Sequence, residues 1–193
     1  MQVKEKEVLR YLGSRGRPAG EGLAQLIKDC LAEIGDLTRE KYTFGLFDLT
    51  REGGQLGVKN TTLKLLGRSI AQHLQHSERV AIMAVTLGLA VDKKIAHYAQ
   101  FNLTRGLVLD ACASAAVEAL CAQVESEIKA LAARQGFNIT RRYSPGYGDF
   151  PLESQAPIVS ILNAYRQLGL TVTESSLLIP RKSVTALMGL VPQ

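Results

Sequence analysis

Apolar residues recur at helical spacing in several stretches of the chain. The spacing predicts helices over residues 21–39 and 63–74, a helix beginning near Ala90, and one that starts at Pro151 or Ser154 and ends before Gly169. A longer helix is predicted from a cap at Asn102 or Thr104 to about residue 134. Its middle is rich in Ala, Ser and Cys, and small side chains allow close approach of another element. We therefore expect it to be the central, most buried helix.

Other stretches carry the apolar pattern of β-strands. Strands are predicted over residues 42–49, 80–87 and 137–140, with a shorter strand ending at Val58 after a turn at 52–55. Residues 80–87 are apolar throughout, which is typical of a strand covered on both faces. The tail predicts a hairpin in which 170–179 and 183–191 are joined by a turn at 180–182. A Gly- and Pro-containing break at 15–20 is the one strong interruption near the N-terminus, and we see no linker that would divide the chain.

The composition is that of a soluble protein with a real core. The 193 residues are 46% apolar and 21% charged, and we find no apolar run long enough to span a bilayer. Met1 to Glu7 lacks the apolar segment of a signal peptide. The three cysteines form no Cys-x-x-Cys pair, which disfavours disulfides and zinc and favours a reducing compartment. We expect a cytoplasmic protein without a membrane role.

The net charge of +5 is a weak indication of an acidic partner or ligand. The basic residues are spread along the chain, and there is no Trp and no cluster of aromatics interleaved with basics. A nucleic-acid partner is therefore not expected. His73 and His76 have the i, i+3 spacing of a metal pair but lack a third ligand at convincing spacing, so no metal site is predicted.

The most distinctive stretch is 141–151, RRYSPGYGDFP. Pro145 fixes its own φ and Gly146 can adopt a positive φ, so this is a rigid turn. With a guanidinium before the turn and a phenol after it, the segment can hold an anionic, partly apolar small molecule. The same spacing also fits a tight connection with solvated arginines.

Glu118 lies within the small-residue part of the long helix. It is either a solvated carboxylate on the outer face or a buried one that needs a cationic partner, which in a site would be a ligand. The chain has no Gly-x-Ser-x-Gly elbow and no phosphate-binding Gly-x-x-x-x-Gly-Lys loop. The turn at 86–90 follows a strand but lacks Gly-x-Gly-x-x-Gly, which disfavours a dinucleotide-binding fold.

Three stretches together resemble the activation domain of cobalamin-dependent methionine synthase. Residues 142–147 fit the family's Arg-x-x-x-Gly-Tyr ligand motif, and Pro151 follows. Residues 173–175 (TES), Pro180 and 183–186 (SVTA) are similar to its Thr-Glu-Ser…Pro-x-x-Ser-Val-Ser-Gly strand pair. Residues 115–119 correspond to a helix with a ligand-contacting glutamate. The element order and this resemblance predict a single α+β domain over 1–193, with a twisted, mostly antiparallel sheet flanked by helices and a long Ala-rich central helix.

The resemblance implies S-adenosylmethionine as the ligand and assigns five binding residues. Arg142 would bind the ligand carboxylate with its planar fork. Glu118 would complement the ammonium or the charge near the sulfonium. Gly146 would allow close approach of the backbone, Ser144 would offer main-chain hydrogen bonds, and Tyr147 would pack beside the sulfonium or ribose. No residue is assigned to catalysis or to metal binding.

The family's chemistry is reductive reactivation, in which cobalamin in the Co(II) form takes one electron and then the methyl group of S-adenosylmethionine. The resemblance therefore implies that this chain is a free-standing reactivation subunit, with cobalamin carried by a methionine synthase that lacks its own activation domain and an electron donor such as flavodoxin. Alternatives left open are a reactivator of another corrinoid methyltransferase, such as one for methylamines or aromatic methyl ethers, and a non-catalytic scaffold.

Two departures from the family pattern concern the ligand. The family's N-terminal acidic contact corresponds best to Gly13, so that contact is missing or supplied otherwise. The family's aromatic tail has no counterpart before Gln193. Both departures predict weaker or partner-completed binding of S-adenosylmethionine.

Overall fold

A five-stranded antiparallel sheet organises the fold in this computed structural model, which describes residues 3–14 and 18–193. The strand order is β2-β1-β3-β7-β4, and β5 and β6 pair separately. The strands are β1 (Lys41–Glu52), β2 (Gln55–Val58), β3 (Arg79–Thr86), β4 (Phe137–Ile139), β5 (Thr171–Val172), β6 (Leu178–Ile179) and β7 (Ser183–Pro192). The helices are α1 (Glu5–Tyr11), α2 (Glu21–Leu37), α3 (Arg68–His73), α4 (Leu89–Phe101), α5 (Leu103–Arg134), α6 (Gln155–Ile161) and α7 (Ala164–Leu168), with a 3₁₀ turn at Leu152–Ser154.

Strand β3 lies at the centre of the sheet and is buried on both faces, as its continuous apolar run predicts. Ala81, Met83 and Val85 face the cluster formed with α1, α2, α4 and α5. Val80 and Ile82 face a second cluster, to which the segment after β2 and the helices α3, α6 and α7 contribute. Helices therefore cover both faces of the sheet, and the α+β fold class is confirmed.

Helix α5 spans 32 residues and is the central helix predicted from its small side chains. Asn102 caps it, because the side-chain oxygen of Asn102 accepts a hydrogen bond from the Arg105 N–H at 3.1 Å. Where α4 packs on α5, a Cβ added at Gly106 would lie 3.1 Å from the backbone nitrogen of Ala99. By its length and composition α5 could cross a membrane, but 61% of its most apolar stretch of 18 residues is buried inside the fold. It has the properties of a buried core helix.

Three predictions of local structure are wrong. In the predicted helix over 63–74 only α3 is helical, because Leu63 and Leu65 are buried in an extended segment bonded to β2. The predicted helix ending before Gly169 divides into a 3₁₀ turn, α6 and α7, because Asn163 adopts a left-handed conformation with φ 49°. The tail hairpin does not form: β6 pairs with β5, whereas β7 enters the main sheet between β3 and β4.

Two sequence features fall partly outside the described residues. These are the start of the N-terminal segment and the first half of the predicted break at 15–20. Beyond that break, α2 begins at Glu21 as its apolar spacing predicts.

Candidate ligand-binding cleft

A cleft of about 280 Å³ opens along the first half of β7. Strand β4 pairs only with the end of β7, and an isolated bridge joins Tyr143 to Leu187. Beyond that bridge, residues 183–186 have β3 on one side and no described strand on the other. The cleft is lined by Glu118, Arg142, Ser144, Tyr147, Gln155, Leu178, Ser183, Val184 and Thr185.

The two charged residues that line the cleft, Arg142 and Glu118, form a cluster with Glu125, which is not in the lining. The Arg142 Nη2 atom lies 3.0 Å from Oε2 of Glu118, and its Nε lies 2.9 Å from Oε2 of Glu125. One guanidinium and two carboxylates give the cluster a formal charge of −1. All three side chains are partly exposed, with 24% of the Arg142 side chain accessible.

Helix α5 sets the geometry of this cluster. Glu118 and Glu125 are seven residues apart, two helical turns, so both carboxylates lie on the same face of α5. Burial works against the charged guanidinium, but the negative charges of Glu118 and Glu125 hold the pKa of Arg142 above its ordinary value. Burial also raises the pKa of the Cys121 thiol to about 12, so the thiol is neutral. The two ion pairs use Nη2 and Nε of Arg142, so Nη1 is paired with neither glutamate.

The segment after Arg142 is a closed and well-anchored turn. Gly146 has φ 89°, and its N–H donates to the Phe150 carbonyl at 2.8 Å. The N–H of Phe150 donates to the Tyr147 carbonyl at 3.0 Å, and the Phe150 ring is buried in the second core cluster. These bonds fix the rim of the cleft at which the Tyr147 ring is exposed.

Asp149 ties this turn to the start of α3. Its carboxylate accepts hydrogen bonds from the backbone N–H groups of Ser69 (2.9 Å) and Arg68 (2.7 Å). These bonds hold the pKa of Asp149 below its usual value. There is no room for a side chain at Gly67, because an added Cβ would lie 2.6 Å from the Asp149 carbonyl oxygen.

Four of the five residues assigned from the sequence line the cleft: Glu118, Arg142, Ser144 and Tyr147. Gly146 is not in the lining and acts on the shape of the turn. Arg141 is exposed, and its carbonyl lies 2.9 Å from Nε2 of His73. Residues 173–175 do not line the cleft; Thr173 closes the turn between β5 and β6 by accepting from the Leu177 N–H.

Two further residues of the site were missed by sequence reasoning: Glu125, which pairs with Arg142 but does not line the cleft, and Gln155, which does. Glu125 carries a signal that was available, since it repeats the position of Glu118 two turns later. Gln155 carries no local signal, because its role depends on a contact with Thr185 of β7, 30 residues away.

Gly13, the position matched to the family's N-terminal acidic contact, follows α1 and offers no side chain. At the end of α1, burial and, after it, the charge of Glu118 raise the pKa of the Tyr11 phenol.

Residues 3–14 and 18–193 hold no group of three or more His, Cys, Asp or Glu side chains placed to bind a metal. His73 instead contacts the Arg141 carbonyl and the Thr140 hydroxyl, each at 2.9 Å.

Comparison with known proteins gives one family and one fold. Residues 50–193, well over half of the chain, match the family described as "Vitamin B12 dependent methionine synthase, activation domain". A solved structure described as "Crystal Structure of the MetH Reactivation Domain bound to AdoHcy" is similar with a TM-score of 0.70 and 17% identity, over 100% of this chain and 71% of that one. At that identity the likeness establishes the fold alone. No curated protein sequence matches. From the family match, the chain belongs to the vitamin B12-dependent methionine synthase activation domains.

Proposed function

We propose that this chain, as one domain over residues 1–193, binds S-adenosylmethionine in the cleft beside β7 and serves the reductive remethylation of cobalamin on a methionine synthase that lacks its own activation domain. The observation that carries the proposal is the ion-paired cluster of Arg142 and Glu118, which line the cleft, with Glu125. Support also comes from the family match and from the similar solved structure, which was determined with AdoHcy.

The charges of the cluster fit those of the ligand. S-adenosylmethionine carries a carboxylate, an ammonium and a sulfonium, for a net charge of +1, and the cluster has a formal charge of −1. The Nη1 of Arg142, which pairs with neither glutamate, can bind the ligand carboxylate, while Glu118 and Glu125 hold the guanidinium in place. The carboxylate of Glu118 also faces the cleft, where it complements the ligand's cationic groups.

The turn after Arg142 closes one side of the site. Ser144 and Tyr147 line the cleft, and 59% of the Tyr147 residue is exposed. The edge of the Tyr143 ring approaches the Tyr147 ring with 6.0 Å between centroids, and the Tyr143 hydroxyl donates to the Tyr147 carbonyl at 3.3 Å. An anchored aromatic ring at the rim can shield the sulfonium from water and leave the methyl group accessible from outside.

The chain's own part in the reaction is to bind and orient the methyl donor. Cobalamin, carried by the partner protein, supplies the reducible cobalt that accepts the methyl group. An electron donor such as flavodoxin supplies the reducing equivalent. The buried thiols of Cys30, Cys112 and Cys121 suit a reducing compartment such as the cytoplasm.

The test compares two neighbouring arginines by calorimetric titration with S-adenosylmethionine. Arg142→Ala is expected to weaken binding by about 1.5–3 kcal/mol, the range for a lost hydrogen bond to a charged group. Arg141→Ala, which changes an exposed side chain outside the lining, should bind as the wild type does. Thermal unfolding of both variants controls for loss of structure. Unchanged affinity in Arg142→Ala, or no binding to the wild type with and without the corrinoid partner, would reject the proposal.

The partner is identified by methyl transfer. With a reductant and S-adenosylmethionine labelled in the methyl group, the wild type should transfer label to the cobalamin of a methionine synthase lacking an activation domain, and Arg142→Ala should not. Transfer to the corrinoid protein of another methyltransferase alone would assign the chain to that system instead.

A further inference from the structure

Gln155 is a buried polar residue in the wall of the cleft, and the roles assigned above do not use it. It is the first residue of α6 and only 8% exposed. Its Oε1 accepts a hydrogen bond from the hydroxyl of Thr185, which is itself 1% exposed. This bond fixes the amide, so that Nε2 is the free end. Among the described residues Nε2 has no hydrogen-bond partner, and it is not one of the fully buried unpaired polar atoms, so it is accessible from the cleft.

Gln155 lines the cleft, so its two N–H donors can be satisfied from the cleft by a ligand or by water. The site therefore holds a fixed donor that is separate from the charged cluster at Arg142.

The main chain of Thr185 adds to this part of the cleft. Leu187 exchanges two backbone hydrogen bonds with Tyr143, both 2.8 Å, on the β4 side of β7. In an antiparallel strand, residues two apart direct their N–H and C=O groups to the same side. The N–H and C=O of Thr185 therefore face the open edge of the sheet, beyond the end of the Tyr143 bridge.

Gln155 and Arg142 address different parts of a ligand. Thr185 lies two residues before Leu187 along β7, a distance of about 7 Å at the usual rise of a strand. Arg142 directly precedes Tyr143, which pairs with Leu187. A ligand whose carboxylate lies at Arg142 would thus present its uncharged half at Gln155. Leu178 and Val184 add apolar surface to the same lining, which suits a flat ring better than a polyhydroxylated sugar.

We propose that Gln155, oriented by Thr185, is a specificity residue that donates a hydrogen bond from Nε2 to a ring nitrogen of the ligand's purine at the open edge of β7. This inference rests on the proposed function, since it takes the ligand to be an adenosyl compound. Gln155 would recognise the base, whereas the charged cluster would recognise the amino-acid end of the ligand.

The test uses S-adenosylhomocysteine and three analogues in which N1, N3 or N7 of the purine is replaced by C–H. For the wild type, one analogue should bind about two- to twelvefold more weakly than the parent compound, as for one lost neutral hydrogen bond. In Gln155→Leu, that analogue and the parent should bind equally. Gln123→Leu, which changes an exposed glutamine on α5, should keep the wild-type discrimination.

Gln155→Glu provides a second variant, because it retains an acceptor for the Thr185 hydroxyl and replaces the Nε2 donor by oxygen. It should also lose the discrimination. Equal binding of all analogues to the wild type, or the same discrimination in both Gln155 variants, would overturn the assignment of Gln155 and leave the proposed function standing. If the wild type binds neither S-adenosylhomocysteine nor S-adenosylmethionine, the proposed function fails, and this inference fails with it.

Discussion

At the scale of single residues, the behaviour of Arg142 depends on its two neighbours. An arginine alone in the cleft would attract anions, but Glu118 and Glu125 make the local charge negative. Under the proposed function, the cluster should favour a ligand that is cationic overall and still offers a carboxylate to Nη1, which pairs with neither glutamate. It should then separate the methyl donor, with its charged sulfonium, from the demethylated thioether, which has no such charge.

Glu125→Gln tests this charge balance. The change neutralises the cluster. It should weaken the binding of S-adenosylmethionine by roughly 1 kcal/mol, because the attraction is lost, and weaken the binding of S-adenosylhomocysteine by less. Glu127→Gln is the matched control, since Glu127 is exposed on α5 and accepts from the Tyr42 hydroxyl outside the cleft. Calorimetry with both ligands gives the comparison. Equal losses for the two ligands would mean that Glu125 acts on the position of Arg142 and not through charge.

At the scale of elements, the turn between Arg142 and α6 is held both by its own backbone hydrogen bonds and by a contact with α3. Its own backbone bonds close it, and Asp149 attaches it to the N-terminus of α3. The Asp149 carboxylate has a lowered pKa in the folded protein. A depressed carboxyl pKa contributes stability that is present above the unfolded pKa of about 3.9 and is lost as the pH falls through the folded value.

Asp149→Asn should therefore melt at a lower temperature than the wild type at pH 6, and the difference should shrink as the pH falls below about 4. Scanning calorimetry between about pH 2.5 and 6, a span that brackets the ordinary pKa values of carboxyl groups, would measure this difference in melting temperature. Asp36→Asn, at the exposed end of α2, controls for the loss of one surface charge. A difference that stays constant with pH would show that the carboxylate charge at Asp149 is not what anchors the turn.

Much of the element structure could be predicted because its signals are local. The continuous apolar run of β3 and the small residues of α5 report burial within a few neighbouring positions. The partner of β7 could not be predicted in the same way, since pairing with β3 joins residues about a hundred positions apart in a register set by the sheet. Gln155 was missed for the same reason: its importance appears only when α6 is placed against β7.

At the scale of the whole molecule, two hydrophobic clusters share one sheet. Val8 of α1 and Ile27 of α2 belong to the cluster around α5, although the family match begins only at residue 50. We therefore propose that the N-terminal helices and the matched region form one cooperative unit. Unfolding by urea should show one transition, coincident by circular dichroism and tyrosine fluorescence. Two separated transitions would divide the chain into independent parts.

Gly189→Ala tests how tightly the sheet is packed. A Cβ at this position of β7 would lie 2.0 Å from Oγ of Ser77, so backbone or side chain must move. We expect a loss of about 1–3 kcal/mol in the free energy of unfolding, typical of overpacking. Gly22→Ala in α2, where the added Cβ meets nothing within 4 Å, should be neutral or stabilising. Equal stabilities of the two variants would contradict the close approach at Gly189.

The most direct test of the central claim is a crystal structure of the protein with S-adenosylmethionine at saturating concentration. Binding as proposed predicts ligand density in the cleft beside β7, with the carboxylate at Arg142 and the methyl group open to solvent near Tyr147. An empty cleft in that crystal, or ligand bound at a site that does not involve Arg142 and Glu118, would contradict it.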